Sequence, residues 1–306
     1  MRLNMNYINQ ILGIRYPVLQ GGMANIANGF FAAACSNAGA LGIIGTGGMN
    51  ADQLEEEIHK CRALTDRPFG VNIMLMHPQA DQIAAIVADE KVPVVTTGAG
   101  NPAKYMDRFK AAGIYVIPVV AAPILARHLA DCGADAVIAE GCESGGHIGE
   151  MTTMTLVPQV CDAVSIPVIA AGGIADNRQM RAAFALGAAG VQVGTCLLVS
   201  SECPVHENYK TALLKAKGSD TIVTGRIGGT PVRILKNKMS REYVRQEKAG
   251  ADKETLELFT LGGLRRAVFD GDIDSGSLMA GQTCGQLSEI RPVSDILANL
   301  CGGLNL

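Results

Sequence analysis

Tryptophan is missing from this chain of 306 residues, and aromatic side chains make up only 4% of it. A core without large aromatic anchors has to be filled by small and β-branched side chains. With 48% hydrophobic residues and 36 glycines the chain reads as globular and rich in turns, which excludes a disordered one. A large charge of one sign is also missing: a formal net charge of −3 excludes a general nucleic-acid binder, which needs a broad excess of lysine and arginine against phosphate. Long apolar runs are few. The most apolar segment, 111–126, is broken by Pro118 and Pro123, and the N-terminal Met-Arg-Leu-Asn-Met-Asn-Tyr lacks the apolar core of a signal peptide, so neither a membrane span nor a membrane partner is expected. The nine cysteines (35, 61, 132, 142, 161, 196, 203, 284 and 301) are odd in number and lack C-x-x-C spacing. They predict reduced thiols in the cytoplasm, not a disulfide frame or a zinc site.

Several nucleotide and metal motifs are absent as well. There is no Walker A lysine, no H-E-x-x-H and no cysteine–histidine cluster at zinc spacing, so no metal is expected. The run Gly98–Ala103 fits G-x-G-x-x-G/A after an apolar strand, but Pro102 interrupts it and no acid follows at the distance needed to hold a ribose.

What is present is a regular alternation. Short apolar or β-branched runs at Pro17–Gln20, Leu41–Ile44, Phe69–Ile73, Val92–Thr96, Tyr115–Val120, Ala136–Ala139, Val168–Ala171 and Gly190–Val193 read as eight strands. Between them lie helical patterns at Asp52–Leu64, Gln79–Glu90, Lys104–Ala112, Ile124–Cys132, Leu156–Val164 and Asp176–Leu186, with Gly113, Gly133 and Gly187 where C-terminal caps belong. This order predicts an α/β fold, a (β/α)8 TIM barrel; a doubly wound open sheet is the alternative. The alternation stops near Val199. Residues 201–274, with helical stretches at His206–Lys217, Arg241–Ala249 and Lys253–Leu261 around a bend at Gly225–Pro231, read as a small, mainly helical lid inserted after the last strand. The barrel domain would then be 1–200, completed by 275–306, where a helix Val293–Leu300 takes Ser294 as its N-cap.

In such a barrel the residues just after each strand share one rim. Here they are glycines and small polar groups: Gly21-Gly22-Met23-Ala24, Asn72, Gly172-Gly173 and Gly194-Thr195. The last two pairs follow strands seven and eight, where backbone N–H groups commonly bind phosphate, and Asp176 opens a helix just after Gly173. The stretch Glu140-Gly-Cys-Glu-Ser-Gly-Gly-His-Ile-Gly149 places His147, a group able to exchange a proton near neutral pH, among glycines that let a ligand approach the backbone. Between Lys215 and Lys248, nine basic residues stand against three acids. This is a solvated face or a landing site for an acidic partner.

Gln20-Gly-Gly-Met-Ala24, Phe69-Gly-Val-Asn-Ile-Met74, Val94-Val-Thr-Thr-Gly-Ala-Gly-Asn-Pro102, the His147 stretch, Ala170-Ala-Gly-Gly-Ile-Ala175, Val191-Gln-Val-Gly-Thr195 and Gly276-Ser-Leu-Met-Ala-Gly-Gln282 together resemble the FMN-dependent enoyl-acyl-carrier-protein reductase II family. That family lies in the wider nitronate monooxygenase (2-nitropropane dioxygenase-like) superfamily. The resemblance implies FMN across the rim, with Gly21, Gly22, Met23, Ala24, Asn72, Glu140, Gly145, Gly146, Gly172, Gly173, Gln192, Gly194 and Thr195 as cofactor-binding residues and His147 as the catalytic residue. It further implies NADH or NADPH as co-substrate, an acyl-carrier protein bearing an enoyl thioester as partner of the basic run, and a homodimer in the cytoplasm. Cys196 departs from the family, many of whose members carry arginine there. A nitronate monooxygenase and a non-catalytic flavin-binding barrel are the alternative functions.

Overall fold

The computed structural model describes residues 7–304. Nine strands precede residue 200: β1 (Val18–Gln20), β2 (Gly42–Gly45), β3 (Phe69–Met74), β4 (Val94–Gly98), β5 (Tyr115–Val120), β6 (Val137–Glu140), β7 (Gly146–His147), β8 (Val168–Ala171) and β9 (Gly190–Val193). All but β7 are parallel neighbours, in the order β1-β9-β8-β6-β5-β4-β3-β2. The seam between β1 and β2 is held by the Leu19–Leu41 bridge and by the Gln20 carboxamide, which is fully buried. Gln20 Oε1 accepts from Ile43 N–H at 2.9 Å and its Nε2 donates to Ile43 O at 3.1 Å. A side chain thus extends the main-chain bonds Gln20 N–H to Leu41 O and Leu41 N–H to Val18 O, both 2.9 Å, and the sheet closes into the expected barrel.

Strand residues alternate between two apolar environments, as parallel strands covered on both faces must. Leu19, Ile43, Val94, Ile117, Ile138 and Ile169 point inward and form one cluster, which Ile8 and Leu12 of the short helix Ile8–Leu12 join, closing one end of the barrel. Val18, Val137, Val168 and Val191 point outward onto helices, as do Ile44, Val71, Val95 and Val116. Eight helices make the outer ring: Gly29–Asn37, Ala51–Leu64, Ala80–Asp89, Met106–Ala111, Pro123–Asp131, Thr153–Ala163, Asn177–Ala185 and Val293–Cys301. The expected caps hold: Gly113, Gly133 and Gly187 adopt φ of +72°, +96° and +102°.

Three features depart from expectation. The first ring helix, Gly29–Asn37, is not among the expected helices, because its residues are apolar on nearly every face and Phe31, Ala32, Ala33 and Cys35 are all buried. The last ring helix does not take Ser294 as its cap. Pro292 precedes it, and the Val293 N–H donates to the Glu202 carboxylate at 3.0 Å, a cap supplied from a distant segment. The excursion that separates this helix from β9 holds helices Glu207–Lys215, Lys238–Lys248 and Lys253–Thr260, and also an unexpected antiparallel hairpin, β10 (Thr221–Thr224) with β11 (Val232–Leu235). The bend at Gly225–Pro231 is its turn. The free edge of β11 pairs with β7, so that Val232 faces His147 and Arg233 faces Gly146.

Candidate active site at the barrel mouth

Above the apolar interior, the next inward positions bring in the polar side chains Asn72, Thr96, Glu140 and Gln192. Gly45, Asn72 and Thr96 lie side by side in one register across β2, β3 and β4, and Glu140, Ala171 and Gln192 lie side by side across β6, β8 and β9. Asn72 Nδ2 donates to Thr96 Oγ1 at 2.9 Å. The barrel therefore carries a polar floor, to which the strand ends bring side chains far apart in sequence. Thr96, completely buried, was not among the expected site residues and contributes through this bond.

The rim over this floor is continuous. Gly22 lies so near Asn72 that a Cβ on it would stand 2.2 Å from Asn72 Cβ, and a Cβ on Gly194 would reach van der Waals contact with Met23 Sδ. Thr195 Oγ1 accepts from Gly281 N–H at 2.9 Å, which links the end of β9 to the segment returning from the excursion. Gly22, Met23, Ala24, Asn72, Glu140, Gly145, Gly172, Gly173, Gln192, Gly194 and Thr195 are all part-exposed beside buried strand residues, which is how the wall of a cleft reads. Gly21 and Gly146 are buried instead: Gly21 N–H donates to Val193 O, and Gly146 sits in the β7–β11 ladder.

The anion cradle expected after β8 is built differently from a bare helix end. Asp176 caps the helix Asn177–Ala185 with its own carboxylate, accepting from Arg178 and Gln179 N–H, so those donors are taken. Gly172 and Gly173, at φ of +88° and +74°, turn the chain tightly before that helix, and a Cβ on Gly172 would meet Gly141 O at 2.6 Å. Among the described residues, no acceptor meets the main-chain N–H of Gly173 or Gly194. Unpaired N–H groups on two adjacent strand ends, with glycine surfaces beside them, fit a phosphate-bearing flat cofactor laid over Met23 and the polar floor.

The loop between β6 and the helix Thr153–Ala163 carries the titratable groups. Burial pushes the Glu140 carboxyl up to about 7, with the nearby Ser144 hydroxyl partly opposing the rise. That hydroxyl makes no hydrogen bond of ordinary geometry. His147 is exposed to solvent, yet the surrounding protein lowers its pKa by desolvation. Solvent access together with desolvation places both groups in a recess rather than on an open surface. Desolvation thus favours the neutral imidazole, which has one N–H to donate.

The loop is anchored at several points. Glu143 accepts from Thr153 N–H at 2.9 Å, its main-chain carbonyl accepts from Gln282 N–H at 2.9 Å, and the Thr153 hydroxyl lies 2.9 Å from Gly172 O. Ile148 N–H donates to Pro231 O at 3.1 Å. Neither Glu143 nor Thr153 was expected to matter, since nothing in their sequence neighbourhood marks a contact with β8.

The basic run is smaller than its sequence count. Arg233 is 7% exposed and faces inward, whereas Arg226, Lys238 and Arg245 are paired with Glu150, Asp274 and Glu242. Lys215, Lys217, Lys236, Arg241 and Lys248 remain as exposed cations. The described residues include no helix long and apolar enough to cross a membrane.

The nitronate monooxygenase family model matches residues 6–87 and 80–303. Among solved structures, FabK from Thermotoga maritima is 51% identical, with a TM-score of 0.93 over 96% of this chain and 94% of that one. A nitroalkane oxidase from Streptomyces ansochromogenes is 30% identical, with a TM-score of 0.85 over 96% of each chain. A "Probable nitronate monooxygenase" from Staphylococcus aureus is 32% identical over 99% of this chain and 98% of its own length. The (3aS,4S,5R,7aS)-5-hydroxy-7a-methyl-1-oxo-octahydro-1H-indene-4-carboxyl-CoA dehydrogenase of Rhodococcus jostii is 40% identical over 74% of this chain, a match spanning 65% of that relative. A closed barrel with a polar floor, free N–H groups at the ends of β8 and β9, and a similarity running the length of the chain lead to one conclusion: this chain belongs to the nitronate monooxygenase family of flavin-dependent oxidoreductases.

Proposed function

We propose that the protein is an FMN-dependent enoyl-acyl-carrier-protein reductase that uses NADH or NADPH to saturate a trans-2-enoyl thioester, the closing step of a fatty-acid elongation round. The observation that carries this reading is His147: a solvent-reachable imidazole in the loop after β6, its main chain paired with a hairpin from the 201–274 segment. The dehydrogenase relative acts on a coenzyme A thioester, which supports the substrate class.

In this reading the N–H groups of Gly173 and Gly194 hold the cofactor phosphate, and Gly22, Met23 and Ala24 carry the ring. Asn72, Glu140 and Gln192 meet its polar edge from the floor. FMN, when bound, would supply the hydride that goes to the substrate Cβ, its electrons coming from NADH or NADPH. Negative charge then develops on the thioester oxygen and Cα, where the His147 N–H donates a hydrogen bond and then its proton to Cα, the imidazole regaining a proton from the solvent that reaches it. General-acid help of this kind is worth about 10² to 10⁴ in rate. β10, β11 and the helices of 201–274 serve as the lid that excludes water, and the exposed cations Lys215, Lys217, Lys236 and Arg241 receive the acidic carrier protein. The reading includes a homodimer in the cytoplasm; nine free thiols among the described residues favour a reducing compartment.

A second reading, oxidation of alkyl nitronates by oxygen, is favoured by the Staphylococcus aureus and Streptomyces relatives. The two are separated by recording the flavin spectrum without oxygen. Bleaching by NADH or NADPH followed by recolouring with crotonyl thioester establishes the reductase. Bleaching by a nitronate with no response to either nicotinamide establishes the monooxygenase.

A further inference from the structure

Arg233 is a buried cation without a counter-ion. It lies on β11 directly opposite Gly146, is 7% exposed, and among the described residues pairs with no carboxylate. Its Nε donates to Cys142 O at 2.9 Å and its Nη1 to Thr221 Oγ1 at 3.0 Å. Desolvating a guanidinium is costly, and no ion pair offsets the cost here. What the side chain gains is geometric: a rigid fork that spans β10, β11 and the loop leading to His147.

That loop has reason to need a fork. Between Glu140 and His147 it holds three glycines, and Gly146 adopts φ of +81°. Two residues of strand pairing do not by themselves fix such a segment. Cys142 N–H is bonded to Met151 O, so the Arg233 bond to Cys142 O anchors the other face of the same peptide region onto the hairpin. We propose that Arg233 is a positioning residue, which sets the imidazole of His147 over the barrel mouth by tying the Cys142 carbonyl to β10 and β11. It touches no reacting atom. This deepens the reductase reading and rests on it for the rate predictions, but not for the structural one.

Charged and titratable groups near this loop are Glu140 at its start, which titrates near 7, Cys142 and Glu143 on the loop itself, Glu150 beyond it, and Arg226 and Arg233 on the hairpin. Removing the Arg233 charge and loosening the loop both raise the His147 pKa. Arg233→Lys separates them, because it keeps the charge and loses the fork. The test follows the His147 ring signal by NMR titration of the flavin-loaded protein, assigned by its loss in His147→Ala. In Arg233→Lys and Arg233→Met the pKa is expected to climb back toward the ordinary imidazole value of 6.5. A rise in Arg233→Met alone would reduce Arg233 to a charge effect and overturn the proposal, as would no rise in either.

Enoyl-thioester turnover supplies the second arm. Arg233→Met is expected to lose about tenfold or more in rate with its flavin spectrum intact, and Arg233→Met/His147→Ala to be no slower than His147→Ala alone, since both changes remove one function. Losses that multiply would show that Arg233 acts elsewhere. Should Arg233→Met fail to fold, Thr221→Ala removes only the Nη1 acceptor and is expected to show a smaller loss with the same non-additivity. A wild-type protein that reduces no enoyl thioester sinks the reductase reading, while the titration still decides Arg233.

Discussion

Placing a single methyl group on Gly22 is expected to damage both stability and cofactor binding. The added Cβ would stand 2.2 Å from Asn72 Cβ and 2.6 Å from Asn72 Cγ. Ordinary carbon–carbon contact begins near about 3.5 Å, so the gap is short by about 1.3 Å. No rotamer change relieves it, because Asn72 Cβ is fixed to the β3 main chain and the Asn72 amide is bonded to Thr96. The chain at 21–24 must therefore move. Overpacking of this kind costs about 1 to 3 kcal/mol, and each kcal/mol lowers Tm by roughly 2 °C in a chain of this size. The moved segment is the one assigned to the flavin ring, so affinity should fall about tenfold or more in Gly22→Ala. Gly98→Ala is the control: it sits at the end of β4, and its new Cβ would meet nothing within 4 Å. Thermal melts and flavin-fluorescence titrations of both variants give the comparison. A Gly22→Ala protein with unchanged Tm and flavin affinity would refute the close approach, as would a Gly98→Ala protein damaged equally.

Three other outcomes are expected. His147→Ala should lower thioester turnover by about 10² to 10⁴ while its flavin spectrum stays that of wild type, and stopped-flow reoxidation by crotonyl thioester reads this directly. Glu140 has a folded-state pKa raised from 4.5 to about 7, so its contribution to stability is fully present below pH 4.5 and is lost as pH rises through 7. Glu140→Gln should thus gain Tm relative to wild type at pH 8 and show no such gain at pH 4, which melts across that range will check. Reversing Lys215, Lys236 and Arg241 to glutamate should raise KM for a carrier-linked enoyl thioester far more than for its coenzyme A analogue; equal effects on the two would assign these cations to the nicotinamide cofactor or to solubility.

The barrel was legible in the sequence because its parts obey local rules. Val168–Ala171 and Gly190–Val193 are expected as strands with the bounds they have, since a parallel strand covered on both faces is mainly apolar, Gln192 being the one polar side chain in the two. Gly113, Gly133 and Gly187 marked helix ends because a left-handed backbone favours glycine. The rim followed from the barrel itself, which gathers every strand end on one side. Ser294 misled because its helix is capped from Glu202, 91 residues before Val293. Helix Gly29–Asn37 left no amphipathic stripe to read, being buried between β2 and its neighbouring helix Ala51–Leu64.

Sequence by itself pointed to the barrel, to glycines at its strand ends and to a titratable His147 in the loop after β6. Tertiary structure alone decided how that group is held. β7 is two residues long and finds its partner in β11, beyond two further barrel strands, three α-helices and β10, so no local pattern announces it. The same pairing turned Arg233 from a member of a basic run into a buried tether, and the closure of the mouth lifted the Glu140 carboxyl to about 7. Charge and hydrophobicity are properties of a residue; exposure, desolvation and the identity of a distant hydrogen-bond partner belong to the folded chain, which is why these features emerge only when it closes.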